Sequence, residues 1–219
     1  VLVNHKRKLV FIHIPKNAGT TFKSVLYSTH GDVEWERLFR EVWAEEKKAT
    51  RKKALFPRTY PHAPLKSFYA SFPEKSDYKV ITIIRNPYER ALSWYSYYRT
   101  PTYYNRHPQM RAIHYAQQPF LEFLKWYNRS FKSKWEMLPQ VWWYTHKNKL
   151  HSDYQIRFEN LEQDINKVSK ELDMDIIKIP HNNKSSETFK VDDVYCDESI
   201  SIINEWYKKD FEELDYIQW

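Results

Sequence analysis

Leu9 to Ile14 is an apolar run interrupted only by His13, opened by Lys8 and closed by Pro15. A run this short suits a strand covered on both faces, not a helix. Pro15 lacks a backbone donor and stops the ladder. The chain then continues Lys16-Asn17-Ala18-Gly19-Thr20-Thr21-Phe22. A helix is expected from Gly19–Thr20 to about Ser28. Strand, sharp bend and helix start together make a place to hold a phosphate. The first N–H groups of a helix point at an anion, and the helix dipole favours negative charge there. Thr20 and Thr21 add hydroxyls and Lys16 adds a mobile cation. Glycine occurs only twice in 219 residues, at Gly19 and Gly31, so each is expected at a backbone position that needs it.

A second buried strand is expected in "KVITIIRNP", Lys79 to Pro87. Pro87 suits the first turn of a helix, which "YERALSWYSYY" continues. "YQIRF", from Tyr154, is a third short strand, and "ENLEQDINKVSKELDM" is an amphipathic helix with Leu161, Ile165, Val168 and Leu172 on one face. Helices are also expected over Phe120–Lys132, Leu138–Lys147 and Glu198–Leu214, and a helical pattern over Val33–Lys53. Phe56–Tyr78 and Thr100–Pro119 read as irregular, the first because four prolines break it. Strands alternating with helices give an α/β chain with a central parallel sheet flanked by helices, a P-loop-like nucleotide-binding fold. No repeat or linker divides it, so residues 1–219 are expected to form a single domain.

The net charge is +7, which favours anionic partners without choosing among nucleotides, sulfated or phosphorylated substrates, nucleic acid and membrane surfaces. No zinc-finger, RNA-recognition or homeodomain signature occurs, so no nucleic-acid partner is expected. No apolar run reaches the ~20 residues that cross a bilayer, so no membrane segment is expected in this chain. Cys196 is the only cysteine, which rules out an internal disulfide and favours a reducing compartment. The expected location is cytoplasmic, with a Golgi lumenal domain shorn of its anchor as the alternative. The oligomeric state is left open.

The bend is not a Walker P-loop. Lys16 precedes Gly19 by three residues, and Thr20 stands where that motif has its lysine. Without a lysine after the glycine or a clear Walker-B acid, the usual apparatus for Mg²⁺ and a γ-phosphate is missing, and no metal is expected. The second motif adds a second anion site. Arg85 ends a strand, and Ser93 lies eight residues on, in the next helix. An arginine and a hydroxyl at the carboxyl edge of a parallel sheet cradle a phosphate monoester well. Two phosphate sites on adjacent strands fit a nucleotide charged at both ends. The plainer readings are a strand-end charge for Arg85 and a surface serine for Ser93.

These residues carry a resemblance. "PKNAGTTF" resembles the 5′-phosphosulfate-binding loop of sulfotransferases that use 3′-phosphoadenosine 5′-phosphosulfate (PAPS). "IIRNPYERALSWY" is similar to their 3′-phosphate-binding strand and helix. "IRFENLEQD", "NNKSSETF" and "YKKDFEELDY" resemble the later part of the carbohydrate O-sulfotransferase branch, the heparan sulfate 2-O/6-O-like enzymes. The resemblance implies PAPS as donor and 3′,5′-adenosine bisphosphate as product. Lys16, Asn17, Ala18, Gly19, Thr20 and Thr21 would hold the 5′-phosphosulfate, and Arg85 and Ser93 the 3′-phosphate. Phe22 falls where the family often has an adenine-stacking tryptophan; core packing is the other reading. Lys184 and Ser185, in a segment that resembles one closing over the cofactor, would touch the phosphates, or else form a solvated turn.

For catalysis, Lys16 resembles the family lysine that stabilises the leaving phosphate, a role that overlaps plain phosphate binding. His62 resembles the histidine of 2-O- and 6-O-sulfating glycan enzymes and is the candidate base. An imidazole accepts a proton near neutral pH without a large shift. The second histidine often found beside it is absent, since Ala63 and Pro64 follow. Glu36 or another acid of Val33–Lys53 is the alternative base, and His13 reads as a packed core histidine. The acceptor, a carbohydrate and possibly a polysaccharide, is expected to meet Thr100–Lys149. That stretch holds Tyr103, Tyr104, Trp126, Trp135, Trp142 and Trp143, with Arg99, Arg106 and Arg111. Sulfation of a protein tyrosine or a small alcohol, a P-loop kinase, and an inactive glycan-binding module are the competing readings.

Overall fold

A computed structural model describes residues 1–28, 36–37, 62–106, 111–129, 137–174, 179 and 189–219. These fall into two compact units, Val1–Arg85 with Gln140–His181, and Asn86–Pro139 with Asn182–Trp219.

The first unit holds the sheet, in the order β3-β1-β2-β4-β7. Here β1 is Leu2–Asn4, β2 Leu9–Ile12, β3 Glu36–Arg37, β4 Lys79–Ile84 and β7 Tyr154–Arg157. The three strands expected from sequence form its parallel centre. Val10 pairs with Val80 across β2 and β4, and Ile83 with Ile156 across β4 and β7. Every residue of β2 is buried, as is every residue of β4 after Lys79, which is why both read as unbroken apolar runs. On the far side of β2 the sheet turns antiparallel through β1 and β3. The fold is α/β with a mostly parallel central sheet flanked by helices.

Phe22, Val25 and Leu26 of the helix Gly19–Ser28 share one core with Phe11, Ile81, Ile83 and Ile156 of the sheet. The helix Leu161–Glu171 adds Ile165 and Val168 to that core, from the face its spacing marked. A short hairpin, β5 (Thr145–His146) and β6 (Lys149–Leu150), turns through Lys147 and Asn148, both at positive φ (48° and 61°). That is the backbone of a type I′ turn, whose twist suits a two-residue loop.

The second unit is helical and owes its core to aromatics. Tyr88, Tyr95 and Tyr98 of the helix Pro87–Tyr98 pack with Phe123, Tyr127 and Trp206. The dipeptide Asn86-Pro87 opens that helix. Asn86 Oδ1 accepts from the Tyr88 and Glu89 N–H groups at 2.9 and 3.4 Å, and Pro87 fills the position that needs no donor. Arg90 is fully buried, donates to the Leu138 carbonyl at 2.9 Å and lies over the Tyr207 ring.

Several expectations differ from what is found. Leu65–Ser71 is helical inside the proline-broken stretch, because its own "LKSFYAS" carries no proline. Thr100–Pro119, expected irregular, contains the helices Pro101–Arg106 and Arg111–Ala116. The final helix breaks at Tyr207 into Asp197–Trp206 and Lys208–Glu213. Of Val33–Lys53, Glu36–Arg37 is a strand and the rest lies outside the described residues. No helix among the described residues is long and apolar enough to cross a membrane.

Candidate active site

The site candidates of the first unit gather at the carboxyl ends of β2 and β4. After β2 the chain makes a tight turn in which Lys16 and Ala18 both adopt left-handed backbone, φ 67° and 56°. Each costs an L-residue on the order of 1 kcal/mol, held in place by the surrounding packing. Ala18 accepts the first helical hydrogen bond, from the Phe22 N–H at 3.1 Å. The N–H groups of Gly19, Thr20 and Thr21 therefore precede any bond the helix itself can make.

Gly19 is a glycine because of a close approach, not because of its φ. A Cβ there would lie 1.9 Å from His13 Cδ2 and 2.2 Å from His13 Nε2. The His13 imidazole is tucked against the start of the helix. Burial, with His62 and Lys23 nearby, pushes its pKa well below the usual histidine range, so it stays neutral.

One buried amide fastens the two strand ends. Asn17 is almost wholly buried and donates from Nδ2 to the Ile83 carbonyl at 2.7 Å and to Gln140 Oε1 at 2.6 Å. Gln140 Oε1 also accepts from the Arg85 N–H at 2.8 Å, and Gln140 Nε2 donates to the Arg85 carbonyl at 2.8 Å. The glutamine side chain thus pairs with Arg85 as a neighbouring strand would, while gripping the loop after β2. Sequence reading did not single out Gln140; a glutamine after a proline carries no local mark of such a task.

The clasp sets two cations side by side. The Arg85 guanidinium lies 3.9 Å over the Phe158 ring and donates through Nη1 to the Lys16 carbonyl at 3.3 Å. Lys16 is half-buried. Burial and the charge of Arg85 lower its pKa to about 8. A lysine and an arginine held close together, the lysine's pKa lowered by burial and by the neighbouring charge, are chemistry suited to an anion. A model of the sulfotransferase family matches residues 1–217.

The chain belongs to the sulfotransferase family. It is a PAPS-dependent sulfotransferase, an enzyme that transfers a sulfuryl group. Searches of curated proteins and of solved structures return no match.

In this sulfotransferase the expected loop residues come together, but their side chains divide the work. Thr20 is exposed, whereas Thr21 is buried and Asn17 is spent on the clasp, so residue 17 offers its main chain alone. Phe22 has no exposed surface. It packs edge-on against Phe11 with centroids 4.9 Å apart, as a core residue that presents no face to an adenine. Ser93 is half-buried in the helix Pro87–Tyr98 of the second unit. Lys184 and Ser185 lie outside the described residues, and of Glu36 only its place on β3 is described.

His62 sits against His13, ring centroids 4.2 Å apart, and edge-on to Trp143 at 6.4 Å. Its Nδ1 is 2.8 Å from the His13 carbonyl oxygen. A carbonyl only accepts, so Nδ1 carries the proton and Nε2 is the basic nitrogen of the neutral ring. Among the proposed acceptor aromatics, Tyr103, Trp126 and Trp143 are core, while Trp142 is half-exposed with Lys66 Nζ 4.2 Å over its ring. Arg99 is taken up by the Ala116 carbonyl at 2.7 Å and the Tyr95 hydroxyl at 3.3 Å. Trp135 lies outside the described residues.

Proposed function

We propose that the enzyme moves the sulfuryl group of PAPS to a hydroxyl of a carbohydrate by in-line displacement. The clasped pair of cations, Lys16 and Arg85, at the ends of adjacent parallel strands is the observation that carries the reading. PAPS supplies an activated sulfuryl group on its 5′-phosphate. The helix-start N–H groups, the Thr20 hydroxyl and Lys16 bind that end, and Arg85 takes the 3′-phosphate. His62 Nε2 receives the proton of the acceptor hydroxyl as its oxygen bonds to sulfur. The bond from sulfur to the bridging oxygen breaks, and Lys16 stabilises the charge left on the phosphate. Such placed charges are usually the largest catalytic contribution, and a positioned base adds roughly 10²–10⁴-fold. 3′,5′-Adenosine bisphosphate leaves.

The carbohydrate acceptor is supported by the resemblance of "IRFENLEQD" and "YKKDFEELDY" to glycan-sulfating enzymes. The test is transfer of label from PAPS to a panel of polysaccharides, a tyrosine peptide and a small alcohol. Labelled polysaccharide is expected. Label only on the peptide or the alcohol refutes the acceptor class.

A further inference from the structure

His13 has no part in the chemistry above, yet the loop and the base both rest on it. Its side chain is buried, with 8% exposure. On one side it abuts Gly19, where even a methyl group would collide with the ring. On the other side lies the tilted ring of His62, and the His13 carbonyl holds His62 Nδ1. Phe11 stacks beneath at 5.9 Å. A neutral imidazole costs more to bury than an aliphatic chain of its size. An aliphatic chain, however, has no flat face to slide between a helix start and a second ring. Gly19, His13 and His62 therefore form one packed column from the phosphosulfate loop to the base.

We infer that His13 is a positioning residue, whose ring holds the plane of His62 in register with the helix start at Gly19 while its backbone carbonyl sets the His62 tautomer. Without it, the loop still binds donor, but the base loses its aim at the acceptor hydroxyl. This rests on His62 being the base, so His62→Ala is measured first. Lost turnover with retained affinity for 3′,5′-adenosine bisphosphate upholds that reading, and unchanged turnover refutes it independently of His13.

His13→Ala is then expected to lower kcat by up to about 100-fold, the scale of a small misplacement of a reacting group. Affinity for 3′,5′-adenosine bisphosphate stays within about threefold, because the clasp and the loop donors remain. His13→Asn, a flat amide, restores most of the rate. Unchanged kcat in His13→Ala, or bisphosphate affinity falling in step with kcat, overturns the inference. In the unmodified enzyme, imidazole ¹⁵N shifts should place the neutral His62 proton on Nδ1; a proton on Nε2 also overturns it.

Discussion

Replacing Gln140 with alanine tests the clasp at its centre. Three hydrogen bonds disappear: from Asn17 Nδ2 and the Arg85 N–H to Oε1, and from Nε2 to the Arg85 carbonyl. Asn17 keeps its bond to the Ile83 carbonyl, so the damage falls mainly on the Arg85 backbone. A buried polar group left unsatisfied costs about 1–3 kcal/mol, and the two Arg85 groups together cost about 3 kcal/mol. For a chain of this size that lowers Tm by roughly 6–12 °C. With its backbone released, Arg85 also loses its place beside Lys16, and affinity for 3′,5′-adenosine bisphosphate falls by about tenfold, the order of one lost charge-assisted contact. Calorimetric unfolding and titration with the bisphosphate read both effects. Adding Asn17→Ala should cost less than the sum of the single changes, by at least ~0.5 kcal/mol, because the two residues share a bond. A Gln140→Ala protein within ~0.5 kcal/mol of the parent, with additive behaviour in the double variant, refutes the reasoning.

Burial and the charge of Arg85 lower the Lys16 pKa to about 8, and a bound anion raises it, so affinity for the bisphosphate should fall about tenfold between pH 7 and 9 and lose this dependence in Lys16→Gln. Because the folded lysine binds its proton less tightly than the unfolded one, the same group makes stability rise with pH above 8; bisphosphate titrations and urea midpoints across that range check both signs. Phe22→Ala should cost ~3–5 kcal/mol of stability while leaving the preference for adenine over other bases unchanged, because the ring has no exposed face. Gly19→Ala should destabilise by ~1–3 kcal/mol through collision with His13, and combining it with His13→Ala should recover much of that loss in a denaturation series.

The strands that carry the site were legible because burial on both faces leaves an unbroken apolar run. β2, β4 and β7 stand where "LVFIHI", "KVITII" and "YQIRF" placed them. Asn86-Pro87 was legible as a helix start because capping chemistry is local. The antiparallel strands β1 and β3 were not, since three and two paired residues leave no period to read. The helix Leu65–Ser71 was hidden by prolines on either side of it. Within the candidate site, Lys16 and Arg85 were singled out by their places at the bend and the strand end, and His62 by resemblance alone. Gln140 was not, because its contact with Arg85, 55 residues away, leaves no mark in either neighbourhood, and neither was the wedge of His13 between Gly19 and His62, which depends on how the ring packs. Gly19 was marked as special, but its reason is a ring from the preceding strand end, which only the folded chain supplies.

The central claim is that the clasped cations grip an adenosine by both its charged ends. Titration calorimetry with 3′,5′-adenosine bisphosphate and with adenosine 5′-monophosphate tests it most directly. The account predicts at least about tenfold tighter binding of the bisphosphate, a preference that Arg85→Ala abolishes. Equal affinity for the two nucleotides in the unmodified enzyme would contradict it.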